Sequence, residues 1–174
     1  MAKINFKKGL TDIVLYIIIF IVVQIFLTYA GAGIWAAVKG EGYQATLLAM
    51  HTGNNAILTA LTTVFSNVIT LIIFLKAKWA PLTRNYLQSK PWLSLLWVAL
   101  FTLGAIIPLE FVYEQIGVEM DADTERVFAS LMKEPWGYVA IGILAPLAEE
   151  IVFRGAILRT LLDMVSKKNH WVAI

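Results

Sequence analysis

The sequence predicts an all-α, polytopic bundle of transmembrane helices, and three observations support this prediction. The chain of 174 residues is 59% hydrophobic and only 15% charged, whereas soluble domains are about 45–50% apolar and about 25% charged. Three stretches without any charged residue are long enough to cross a hydrocarbon core of about 30 Å. Basic residues concentrate on alternate connections between these stretches, as expected for membrane spans. A soluble single domain is therefore excluded.

Composition also excludes several kinds of site. The formal net charge is only +2 and there is no long basic block, so nucleic acid is not expected as a partner. The absence of cysteine excludes a disulfide framework, a thiol nucleophile and a thiolate metal site. The two histidines, His51 and His170, are too far apart for an HExxH zinc motif, and both are interpreted as surface or interfacial residues.

Four complete spans are predicted along the chain. They lie near residues 13–38, 56–75, 92–109 and 136–158. An interfacial tryptophan, Trp171, then follows a basic turn and opens a further apolar run, which predicts the start of a fifth span. We therefore expect residues 1–174 to be one membrane domain that is truncated before later parts of a longer protein.

Lysine and arginine set the expected orientation, because positive residues near span ends stay on the cytoplasmic side. The N-terminus and the connection from Lys76 to Lys90 are basic, whereas the connection after the third span is acidic overall. The N-terminus is therefore predicted to be cytoplasmic and the chain to be surrounded by membrane lipid. The short connections favour a bacterial plasma membrane.

Two further patterns have more than one interpretation. A stripe of small polar residues runs along the second span: Thr59, Thr62, Thr63, Ser66, Asn67 and Thr70. Such a stripe favours close helix packing over a substrate path. The segment from Asp123 to Lys133 has the apolar spacing of a short amphipathic helix, which either lies on the membrane surface or packs against the outer ends of the spans.

The fourth span contains two carboxylates and a guanidinium, although each charge at the centre of a bilayer costs about 2.5–3.5 kcal/mol on insertion scales. Glu150 and Arg154 are four residues apart and lie on one helix face, which predicts an ion pair. Glu149 points about 100° away around the helix and has no obvious partner. An unpaired carboxylate in a low-dielectric environment has its charged form disfavoured, which suits a general base or acid. Pro146 is expected to kink or open the helix just before it.

These charges could also have a structural role or a transport role. All three side chains could pair with groups on neighbouring helices and only stabilise the bundle. A proton or ion pathway would require further ionisable residues inside the remaining spans, and the three charge-free spans contain none.

The motif itself is Glu149-Glu150-Ile151-Val152-Phe153-Arg154-Gly155. It resembles the first motif, EExxxR in its EExxFRG form, of the CAAX protease and bacteriocin-processing family, also called the type II CAAX prenyl endopeptidase or Abi family. The resemblance implies a polytopic membrane protease that cleaves a peptide bond within or beside the bilayer. It assigns water activation to Glu149, a supporting role to Glu150, and the positioning of the Glu pair to Arg154. The implied substrate is a peptide or protein, either prenylated or a bacteriocin precursor.

The resemblance leaves the cofactor open, because the family is often assigned a divalent metal such as zinc, yet a mechanism without metal is also argued. The family's second and third motifs, FxxxH and a histidine four residues before Asn or Asp, are absent from these 174 residues and are expected beyond them. The chain alone is therefore expected to be inactive. The alternative is a non-enzymatic membrane scaffold or immunity protein in which the Glu pair and Arg154 form structural salt bridges.

Overall fold

The computed structural model describes residues 5–81, 92–117 and 121–165, and every regular element in these ranges is helical. The predicted all-α class is confirmed. The helices are α1 (Phe6–Lys39), α2 (Tyr43–His51), α3 (Ala56–Lys76), α4 (Trp92–Ile116), α5 (Ala122–Leu131) and α6 (residues 135–164). In α6, α-helical turns (Pro135–Gly137, Ala145–Glu149, Arg159–Met164) alternate with π-helical segments (Tyr138–Leu144, Glu150–Leu158).

Within the described ranges, three helices are long and apolar enough to cross a membrane. They are Phe6–Lys39, Ala56–Lys76 and Leu96–Ile116. The predicted third span stops at residue 109, before Glu110, but α4 continues to Ile116 because Pro108 and the two carboxylates after it do not end a helix of this hydrophobicity. The fourth predicted span, 136–158, lies within α6, and its crossing of the membrane stays a prediction.

The chain divides into two compact units, Met1–Pro81 with Asp123–Ile174 and Leu82–Ala122. Helix α4 belongs to the second unit. The apolar side chains described on it, such as Phe101 and Ile107, are largely exposed.

The first unit is built on α1, α3 and α6. Helix α1 runs antiparallel to α3, because Tyr16 meets Phe74 near one end of the pair and Gly31 meets Thr62 towards the other. Helix α3 runs parallel to α6, since the first turn of α6 packs on α3 and Phe74, near the end of α3, packs against Val152. The predicted topology requires the same direction for the second and fourth spans.

An aromatic cluster joins these three helices. The Tyr16 ring lies 5.9 Å from Phe74 and 5.1 Å from Trp79, measured between centroids. Phe74 is fully buried and packs with Val152 and Ala156 of α6. Trp79 follows the end of α3, so this cluster fixes the second half of α6 against the chain just after α3.

The polar stripe on α3 faces α1. Gln24 of α1 donates from Nε2 to Asn67 Oδ1 at 3.1 Å and accepts from Ser66 Oγ at 2.5 Å. Ser66 and Asn67 are buried, and the hydroxyl of Thr62 donates to carbonyl oxygens of its own helix. The packing interpretation of these residues is confirmed. In an apolar medium, such a hydrogen bond between helices contributes about 0.6 kcal/mol on average.

Gly31 allows α1 and α3 to approach closely. A Cβ atom at this position would collide with Thr62 Cγ2, whereas a Cβ at Gly33 would meet only the Tyr43 ring at 3.8 Å, an ordinary contact. Small residues at helix interfaces permit such an approach in membrane proteins.

We predict that Gly31→Ala lowers the free energy of unfolding by about 1–3 kcal/mol, because the added methyl group forces α1 and α3 apart. Gly33→Ala is the matched control and should leave stability unchanged or slightly higher, since alanine favours helix. Denaturant titration of the purified protein in detergent, followed by helical circular dichroism, measures both. Equal effects of the two substitutions would contradict the close contact.

Candidate catalytic site on helix α6

Helix α6 begins at a proline and contains a second one. Pro135 occupies the first turn, where no backbone N–H is needed. Pro146 lies at the junction between the π-helical segment Tyr138–Leu144 and the α-helical turn that follows it. Backbone angles remain helical at Leu144 and Ala145. The helix is therefore continuous at Pro146. The kink or opening expected there from the sequence is replaced by a change in backbone hydrogen-bond spacing, from π-helical to α-helical.

The charged motif extends into the second π-helical segment. Glu149 ends the α-helical turn, and Glu150, Arg154 and Gly155 all lie in Glu150–Leu158. Hydrogen bonds from residue i to i+5 are rare in proteins and occur frequently at functional sites. No pattern of residue types in the chain indicates this geometry.

One face of α6 is buried and the other is open. Ala148, Val152 and Ala156 are fully buried within the first unit. Glu149 and Glu150 lie on the exposed side of the same helix. The helix thus packs through its small and apolar residues and leaves both glutamate side chains exposed.

The predicted ion pair is present. Arg154 Nη1 donates to Glu150 Oε1 at 2.5 Å, and the two side chains are 64% and 47% exposed. The pair therefore lies along the open face of the helix and is not enclosed by neighbouring helices. The ion pair predicted from the four-residue spacing of Glu150 and Arg154 is therefore confirmed.

Glu149 differs from its neighbour. Among the residues that the structure describes, none forms a hydrogen bond or an ion pair with its carboxylate, and Arg154 binds Glu150 instead. The structure therefore pairs two of the three predicted site residues and leaves the third apart. The described residues do not enclose Glu149. A low-dielectric environment for its carboxylate, as expected from the sequence, therefore requires lipid hydrocarbon around the helix.

Two contacts that position the site were not predicted from the sequence. A Cβ at Gly155 would lie 2.8 Å from Ala80 Cβ, so the motif glycine permits close packing of α6 against the segment after α3. Phe153, between the carboxylates and Arg154, packs edge-on against Phe20 of α1 at 6.2 Å. The motif indicated that Gly155 matters, but neither Ala80 nor Phe20 carries any sequence signal of a role here.

The described residues do not form a metal centre. They contain no group of three or more His, Cys, Asp or Glu side chains close enough to hold a metal ion, whereas a catalytic zinc has three protein ligands. Glu150 is held by Arg154, His51 ends the separate helix α2, and His170 lies outside the described residues. These residues do not fit zinc on their own.

We predict that Gly155→Ala destabilises the protein by about 1–3 kcal/mol, because the methyl group collides with Ala80. Gly142→Ala is the matched control in the same helix, since a Cβ there meets nothing within 4 Å. Thermal unfolding of both variants in detergent measures the difference. A Gly155→Ala variant as stable as Gly142→Ala would show that the close approach to Ala80 is absent.

Comparison with known proteins supports the motif. A family model described as "Type II CAAX prenyl endopeptidase Rce1-like" matches residues 131–174, which include the whole charged motif. Comparisons with curated proteins and with solved structures found no match. Together with its long apolar helices, this match indicates an integral membrane protein. Residues 131–174 are therefore similar to the type II CAAX prenyl endopeptidases of the Rce1-like family, as the motif Glu149–Gly155 had indicated.

Proposed function

We propose that this protein is an intramembrane endopeptidase of the CAAX type in which Glu149 activates the water that attacks the peptide bond. The observation that carries the proposal is the contrast between two adjacent carboxylates. Glu150 is bound by Arg154, while Glu149 is exposed and has no partner among the described side chains. The similarity of this segment to a peptidase family supports the same reaction class.

The chemistry assigned to Glu149 is general base catalysis. Its carboxylate accepts a proton from water, the resulting hydroxide attacks the carbonyl carbon, and the proton passes to the leaving nitrogen as the C–N bond breaks. Such a group contributes about 10²–10⁴-fold to a rate. Stabilisation of the oxyanion, which the resemblance assigns to histidines of two further motifs, is not assigned to any described residue.

The roles of Glu150 and Arg154 follow from their ion pair. With its guanidinium bound to Glu150, Arg154 does not neutralise Glu149, and its positive charge offsets one of the two adjacent negative charges. Removal of either partner would leave an uncompensated charge on α6. We therefore assign both residues a positioning role for Glu149.

The open face of α6 favours a substrate that approaches through the membrane. Large apolar side chains such as Leu147 and Phe153 are exposed around the carboxylates. A peptide that carries a prenyl group fits this environment, because its lipid part partitions into hydrocarbon. A bacteriocin precursor is the other substrate class implied by the resemblance. A bacterial plasma membrane with a cytoplasmic N-terminus is the location that we propose.

A scaffold or immunity protein is the second candidate function. The observation in its favour is the Glu150–Arg154 ion pair, which can serve a purely structural purpose. This function also requires a binding partner for Glu149, since an unpaired carboxylate is costly inside a membrane.

We predict that Glu149→Gln lowers kcat for a farnesylated peptide ending in a CAAX sequence by about 10²–10⁴-fold, because the amide cannot accept the proton of water. KM should change little. The assay uses the full-length protein in proteoliposomes and follows release of the terminal tripeptide by mass spectrometry.

Glu110→Gln is the matched control, since Glu110 is an exposed glutamate on the apolar helix α4. It should retain full activity. Unchanged cleavage by the Glu149→Gln variant would remove Glu149 from the role of base. If neither the wild type nor any variant cleaves the farnesylated peptide or its unprenylated form, the result would favour the function as a scaffold or immunity protein.

A further inference from the structure

We propose that the groove between α1 and α3 near Lys39 is a specific binding site for an anionic phospholipid, with one acyl chain in the groove and the phosphate group on Lys39. The site is separate from the carboxylates of α6. Lipid binding there does not depend on the proposed peptidase activity.

The groove results from the close approach of the two helices. Its floor consists of Gly31 and Thr62, which are in contact. The Thr62 hydroxyl donates its proton to carbonyl oxygens of Leu58 and Thr59, so this proton is not available to a ligand. The floor therefore presents mainly apolar atoms to a ligand in the groove.

The walls are also apolar. Ile34 and Val38 of α1 stand on one side, and Leu61 and Phe65 of α3 stand on the other. The groove has a volume of about 240 Å³, and a dry apolar cavity of about 150 Å³ already accommodates benzene. An acyl chain segment therefore fits, and lipid is the occupant we infer, because both helices that form the groove are long and apolar enough to cross a membrane.

A fixed positive charge lies at one end of the groove. Trp35 lines the groove, and Lys39 Nζ lies 5.4 Å from the centroid of the Trp35 ring. No carboxylate in the described part of the chain forms an ion pair with this ammonium group. The nearest acidic residue in sequence, Glu41, accepts a hydrogen bond from Thr46 Oγ1 instead.

These features together select an anionic lipid. Tryptophan at the end of a span marks the interface, where the phosphate groups of lipids lie. A lysine near that interface attracts anionic headgroups, and the stacking on Trp35 restricts where its charge can be. A zwitterionic lipid would use the same groove but would gain less from Lys39. The site therefore distinguishes phosphatidylglycerol from phosphatidylcholine.

The test is native mass spectrometry of the purified full-length protein in detergent, titrated with phosphatidylglycerol or phosphatidylcholine. Lys39→Gln should weaken binding of phosphatidylglycerol about fivefold and binding of phosphatidylcholine by a smaller factor. Lys76→Gln, the same change at the end of α3, should have no effect. Lys39→Arg should retain binding because it keeps the charge.

A second pair of variants tests the groove. Ile34→Trp places a larger side chain at its wall and should weaken binding of both lipids, whereas Ile25→Trp, on the same helix but outside the groove, should not. Circular dichroism confirms that each variant is folded. Equal binding by Lys39→Gln and wild type, or equal losses in Lys39→Gln and Lys76→Gln, would overturn the proposal. So would unchanged binding by Ile34→Trp.

Discussion

The ion pair between Arg154 and Glu150 is the interaction on which the candidate site depends. Two adjacent carboxylates on an apolar helix repel each other, and each is costly to place in hydrocarbon. Arg154 offsets one of these charges through a direct contact with Glu150. Glu149 then lies next to a carboxylate that is already paired. Among the described residues, the site thus contains one carboxylate without a partner beside one that forms an ion pair.

The rest of the first unit holds α6 in the orientation that keeps this carboxylate free. Helices α1 and α3 are joined by the Gln24 hydrogen bonds and by the contact at Gly31. The aromatic cluster around Phe74 and the contact of Gly155 with Ala80 then fix one face of α6 on this pair. The residues that fix α6 are mainly its small and apolar ones, and both glutamate side chains remain exposed.

Sequence reasoning succeeded where local spacing determines the outcome. The absence of charge predicted two long apolar helices, α1 and α3, and a separation of four residues predicted the Glu150–Arg154 pair. It failed where the outcome depends on distant parts of the chain. Ala80 approaches Gly155 only because α3 and α6 run parallel, and the π-helical segments around Pro146 follow from no pattern of residue types. The exposure of Glu149 is likewise a property of packing, since it depends on which face of α6 the neighbouring helices cover.

The most direct test of a free Glu149 beside a bound Glu150 is the reactivity of the two carboxylates towards a membrane-permeable carbodiimide. The protein is treated in proteoliposomes, and the modified residues are identified by peptide mass spectrometry. We expect rapid modification of Glu149 and protection of Glu150, with Glu150 becoming reactive in an Arg154→Gln variant. Protection of Glu149, or equal modification of both residues in the wild type, would contradict this division of roles.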